Sequence, residues 1–112
     1  MDITGETYKV RYDEAENSVY MEGILRLGEP AAYAPIEELL DRALASHPAT
    51  MTLDVRSLSF LDSPGINLLY KFATATQKGS ARLAVRGSKS IPWQVESLPN
   101  LKKFNMNFEL SW

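Results

Sequence analysis

Between Met51 and Phe72, in MTLDVRSLSFLDSPGINLLYKF, the chain changes its hydrophobic period across one short intervening segment. Met51, Leu53 and Val55 alternate with Thr52 and Asp54, the period of two expected of a strand, and a short loop, RSLSFLD, follows. From Ser63 the apolar spacing becomes helical as far as about Lys78, where Gly79 supplies a C-terminal stop. The next run, RLAVRG, is strand-like again. A strand that feeds a helix and then another strand is held to a right-handed crossover between parallel neighbours. That excludes all-helical bundles and simple antiparallel meanders.

The flanking segments extend the same plan. YKVRY sets Tyr8, Val10 and Tyr12 against Lys9 and Arg11, and SVYMEGILRL is a second run rich in β-branched and aromatic residues. The turn-forming DEAENS between them predicts an antiparallel hairpin. In IEELLDRALASH, the residues Ile36, Leu39, Leu40, Ala43 and Leu44 fall on one helical face, with Pro35 in the first turn and His47-Pro48 ending the segment. PWQVESLPNLKKF predicts a short helix or helical turns broken near Pro99, and NFELSW a last strand. The order β-β-α-β-α-β-α-β predicts an α/β fold: a mixed sheet of about five strands with helices packed on it, as a single domain over residues 1–112.

Composition narrows the function classes. The chain of 112 residues is 45% hydrophobic and 23% charged, enough for a core that needs no disulfide or metal. It has no cysteine, so a thiol nucleophile and a zinc-cysteine cluster are excluded. No apolar run approaches a membrane span, and MDITGETYKVRY has neither the basic nor the apolar part of a secretion signal. The expectation is a soluble, cytoplasmic protein without membrane contact. A net charge of -2 argues against direct nucleic-acid binding. Residues 1–50 hold four Lys/Arg against ten Asp/Glu, and residues 51–112 eight against four, which permits an acidic end and a basic face or simply solvated surface charge.

Enzyme chemistry finds little support. The only histidine, His47, falls at a predicted helix end, and LDSPG lacks the first glycine of a nucleophile elbow. Asp54 and Asp62 read as turn and surface carboxylates, no metal-ligand spacing is present, and RGSKS lacks the glycine pattern of a phosphate loop. Trp93 and Trp112 read as core or edge packing. No cofactor and no metal are expected.

What remains is the start of the second long helix. Ser63 is placed to cap it, with Pro64 at the first helical position. Gly65 costs about 1 kcal/mol of helix propensity against Ala where any small side chain would serve, which points to close approach by another molecule to the backbone. A phosphate on Ser63 would lie at the positive end of the helix dipole, with free amides to receive it. The helix carries two apolar lines, Ile66, Leu69, Tyr70, Ala73 and Leu68, Phe72, Ala75. One seats it on the sheet; the second packs on a neighbouring helix or offers a partner surface next to Ser63.

The segment from Met51 to Phe72, with a strand leading through an apolar loop into Asp-Ser-Pro-Gly and an apolar helix, resembles the central segment of STAS domains, the family of anti-sigma factor antagonists. Strand order and length match that family across nearly the whole chain. The resemblance implies a bacterial, non-enzymatic signalling module in transcription regulation, with phosphorylation at Ser63 by an anti-sigma factor that is a serine kinase and removal of the phosphate by a serine phosphatase. It implies a partner surface at Asp62, Ser63, Pro64, Gly65, Leu68 and Phe72, and it is compatible with a homodimer. Two departures stand out: Pro64 replaces the second serine of the pattern, and GILRLGE, Gly23 to Glu29, has Arg26 where the family commonly has an acidic residue. The alternative is a STAS-like scaffold or small-ligand domain, for an anion or nucleotide, in which Ser63 is only a cap.

Overall fold

A computed structural model describes every residue from Met1 to Trp112. Six strands form one sheet: β1 (Asp2–Thr4), β2 (Tyr8–Asp13), β3 (Ser18–Leu25), β4 (Thr50–Leu61), β5 (Arg82–Arg86) and β6 (Phe108–Ser111). Their spatial order is the order of the sequence. The first two pairings are antiparallel, and β3-β4, β4-β5 and β5-β6 are parallel. The helices are α1 (Ala34–Leu44), α2 (Ser63–Lys78) and α3 (Pro92–Ser97), with 3-10 turns over Pro30–Tyr33 and Leu98–Lys103.

The predicted hairpin, the three crossovers and the last strand are all present, so the mixed α/β sheet stands as expected, with two differences in the strands. The sheet has six strands rather than about five, because Asp2–Thr4 pairs with Lys9–Arg11. Three residues are too few to show an alternation. The second difference is the expected loop RSLSFLD, which continues as strand to Leu61. Bulges at Tyr20/Glu22 and Gly23/Ile24 shift the register against β3 there, which breaks the apolar alternation that marks a strand in sequence.

One consequence is that β4 outruns its neighbour. Strand β5 pairs only with Thr50–Asp54, so residues beyond Asp54 lack a strand on that side. Side chains of α3 take its place. Gln94, with no exposed surface, donates through Nε2 to the carbonyls of Val55 (2.6 Å) and Leu58 (3.1 Å), while its Oε1 accepts the Ser88 amide at 2.7 Å. The Trp93 indole donates to the Leu58 carbonyl at 2.9 Å. Both residues therefore satisfy backbone groups that water cannot reach.

The sheet has two unlike faces. Val10, Val19, Met21, Met51, Leu53, Leu83 and Val85 join Ile36, Leu39 and Leu40 of α1 and Leu69, Phe72 and Ala73 of α2 in one core. On the opposite face the register aligns Asp2, Arg11, Tyr20, Asp54, Arg86 and Ser111 across all six strands. Asp54 is not the surface carboxylate its alternation suggests. It is only 6% exposed, and the Arg56 guanidinium grips both of its oxygens at 2.7–3.1 Å. Burial raises the Asp54 pKa, and the Arg56 hydrogen bonds outweigh that and hold it below the usual carboxylate value.

Candidate functional site around Ser63

The N-terminus of α2 lies where β4 ends, beside the segment that leads from β3 to α1. Its cap is Asp62 rather than Ser63: the Asp62 backbone is extended and its Oδ1 accepts the Gly65 amide at 3.2 Å. A carboxylate caps as well as a hydroxyl and adds favourable charge at the positive helix end, and this moves Ser63 and Pro64 one position into the first turn. The Ser63 side chain is consequently exposed, and its hydroxyl makes no hydrogen bond within the protein.

Asp62 does more than cap. Its Oδ1 also accepts the Tyr33 hydroxyl, and its Oδ2 accepts the Gly28 amide at 2.9 Å. The Asp62 amide donates to the Leu25 carbonyl at 3.1 Å. One carboxylate thus ties together the end of β4, the start of α2 and the segment after β3. Burial acts to raise its pKa, but the hydrogen bonds from Tyr33, Gly28 and Gly65 prevail and hold it below the ordinary value. Tyr33 is pushed the other way: its own burial, and then the Asp62 carboxylate, favour the neutral phenol.

Two glycines shape this corner for different reasons. Gly28 adopts φ +89°, and a Cβ there would meet open space, so only its backbone conformation demands glycine. Gly65 is helical. A Cβ on it would collide with the Leu61 side chain and lie 2.7 Å from the Tyr33 hydroxyl. The propensity given up at Gly65 therefore serves close packing on Tyr33, and its amide is occupied by Asp62 rather than open to another molecule.

The remaining predicted residues divide by burial. Leu68 is half-buried and Pro64 lines a shallow groove with Pro30, Tyr33, Asn67 and Lys71. Phe72 is 3% exposed and, with Leu68 and Ala75, lines a cleft whose other wall is Glu37, Leu40 and Asp41 of α1. The second apolar line thus faces α1, with Phe72 buried and Leu68 and Ala75 partly exposed, and Phe72 and Gly65 offer no side-chain surface to a partner docked on the folded domain. Lys71 reaches across to Glu37 at 2.6 Å. On the other line, Tyr70 stacks on Phe104 with ring centroids 4.8 Å apart.

The expectation that α2 offers free amides to an anion is also corrected. Pro64 has no N–H, the Gly65 amide serves the Asp62 side chain and the Ile66 amide serves the Asp62 carbonyl at 2.9 Å. Only the amide of Ser63 remains. Sequence reasoning missed Tyr33 and Gly28, which complete the site. A lone aromatic in the turn-rich LGEPAAYAP was the available signal. Arg26, singled out for its departure from the family pattern, lays its guanidinium 4.5 Å over the Phe60 ring.

Comparison with known proteins returns the fold. No family profile and no curated protein matches the chain. Among solved structures, a chain from the complex of the diguanylate cyclase SiaD with its activator SiaC, from Pseudomonas aeruginosa, is similar with TM-score 0.74 and 15% identity over 99% of this chain and 98% of that one. Apo-SiaC from the same organism is similar at TM-score 0.72 and 14% identity, over 100% of this chain and 98% of that one. An anti-sigma factor antagonist from Mycobacterium paratuberculosis gives 0.69 and 18%, over 97% of this chain and 90% of that one. At these identities the likeness is one of fold: the chain has the STAS-like fold of anti-sigma factor antagonists. Those structural neighbours are regulatory proteins, and no helix of this chain is long and apolar enough to cross a membrane.

Proposed function

We propose that this protein is a non-enzymatic regulatory module that docks a protein partner at the Ser63 corner and is switched by phosphorylation of Ser63. The observation that carries the reading is the position of that serine. Its hydroxyl is exposed, unengaged and held at the first turn of α2 by the Asp62 cap, beside the groove that Pro30, Pro64 and Leu68 line. The STAS-like fold supports the same reading, since its neighbours include an anti-sigma factor antagonist and an activator described in complex with its cyclase.

The chemistry asked of Ser63 is that of an acceptor. A partner kinase transfers the γ-phosphoryl group of a nucleoside triphosphate: the bond to Ser63 Oγ forms, the bond to the leaving diphosphate breaks, and the hydroxyl proton passes to the kinase's base. A serine phosphatase reverses the modification with water. The added charge of about -1.5 to -2 lies next to Asp62, within the surface that the unmodified protein presents to its partner, and releases the docked partner. The partner class is an anti-sigma factor with serine kinase activity, and the compartment is the cytoplasm.

The test is partner capture from the cells that natively make the protein. Ser63→Ala should retain the partners of the wild type and Ser63→Asp should lose them; equal capture by both removes the switch. Pro64, in place of the family's second serine, favours the second reading of an unphosphorylated STAS-like scaffold. Intact mass of the native protein separates the two, because a single phosphate mapping to Ser63 supports the first reading and its consistent absence the second.

A further inference from the structure

We propose that the Asp62 carboxylate is a latch on the segment from Arg26 to Tyr33, and that a phosphate on Ser63 opens it. This deepens the reading of Ser63 as a phosphoacceptor and rests on it.

The argument starts from the supply of donors. A phosphate on Ser63 Oγ needs hydrogen bonds, and the first turn of α2 has only the amide of Ser63 itself unengaged. The next donor within the turn is the Gly65 amide, which Asp62 Oδ1 already holds at 3.2 Å. Lys71, the cation on the same helix that borders the groove, is paired with Glu37. A dianion attached to the neighbouring residue therefore competes with Asp62 for Gly65 and repels its carboxylate.

What Asp62 loses, the segment after β3 loses as well. Gly28 and Tyr33 are 34 and 29 residues away in sequence, and their hydrogen bonds to the start of α2 all run to this one side chain. Without it, the Gly28 amide has only solvent, and the backbone of Gly28 is held at φ +89° by one fewer contact. The Tyr33 hydroxyl keeps only the distant Leu25 carbonyl at 3.4 Å. Because Pro30 and Tyr33 line the groove beside Pro64, opening the latch reshapes the surface a partner meets, in addition to charging it.

Hydrogen exchange at Gly28 reads the latch in the isolated protein, with no partner required. Phosphoserine installed at position 63 during translation should speed Gly28 exchange roughly tenfold or more, the size expected when a charge-assisted hydrogen bond is lost. Ser63→Ala should leave it unchanged. Asp62→Ser keeps a good cap for α2 but is too short to reach Gly28, so it should speed exchange to a similar extent, and phosphoserine should add nothing further in that background. Unchanged Gly28 exchange in the phosphoserine protein overturns the latch, as does an equal acceleration by phosphoserine with and without Asp62. Installing the phosphate directly keeps this result separate from whether native cells modify Ser63.

Discussion

The side-chain amide of Gln94 donates to the carbonyl of Val55 at 2.6 Å across 39 residues of sequence. With its second bond to Leu58 and the Ser88 amide it accepts, Gln94 stands in for a strand that β5 is too short to provide. Gln94→Ala leaves the buried Val55 carbonyl without a partner, frees the part-buried Ser88 amide and opens a void, and should cost about 2–4 kcal/mol. Urea unfolding checks this; a loss near zero would mean that water or a shifted α3 replaces the side chain.

Gly65→Ala should destabilise by about 1–3 kcal/mol although alanine is the better helix former. The added methyl meets the Leu61 side chain and the Tyr33 hydroxyl inside the corner that Asp62 holds. Gly28→Ala should also destabilise, through its positive φ and not through crowding, since open space lies where its methyl would go. Combining Leu61→Ala with each separates the mechanisms: it relieves the first substitution and leaves the second as it was. Thermal melts of the two glycine variants, Leu61→Ala alone and the two combinations carry the comparison.

Acid should weaken the corner in a defined direction. The Asp62 pKa is depressed in the folded protein, so its contribution is fully present above the unfolded value of about 3.9 and is lost as pH falls through the lower folded value. Asp62→Asn should therefore be less stable than the wild type at pH 6, with the gap closing as pH drops below about 4. Parallel denaturant titrations at pH 6 and pH 3 test it; a gap that stays constant assigns the loss to geometry rather than charge.

Asp54 follows the same sign for a different reason, the Arg56 guanidinium. Arg56→Met should raise the Asp54 pKa, lower stability at neutral pH and move the acid transition to higher pH. An acid transition identical to that of the wild type would show that Asp54 finds another cation, for which Arg86 is the neighbour in register.

The framework was legible because periodicity in the sequence carries it: the apolar residues of the hairpin, both long helices and the parallel strands recur at the spacing of one face, and that face packs in the core. The end of β4 was not, because bulges and the partners from α3 remove the alternation. At the site, DSPG announced a helix start, but Asp and Ser are equally good caps, and only the approach of Gly28 and Tyr33 decides for Asp62. Phe72 was ambiguous for a similar reason. A second apolar stripe looks the same in sequence whether α1 or a partner covers it.

The sheet order has a consequence for how the chain comes together. Every strand after the first lies beside the one made just before it, from β1 at one edge to β6 at the other. No strand is therefore inserted between two earlier ones, and the sheet can be built outward from one edge without a central gap for a later segment to thread. The residues that tie the Ser63 corner together, Gly28, Tyr33, Leu61, Asp62 and Gly65, all precede the last two strands in the chain.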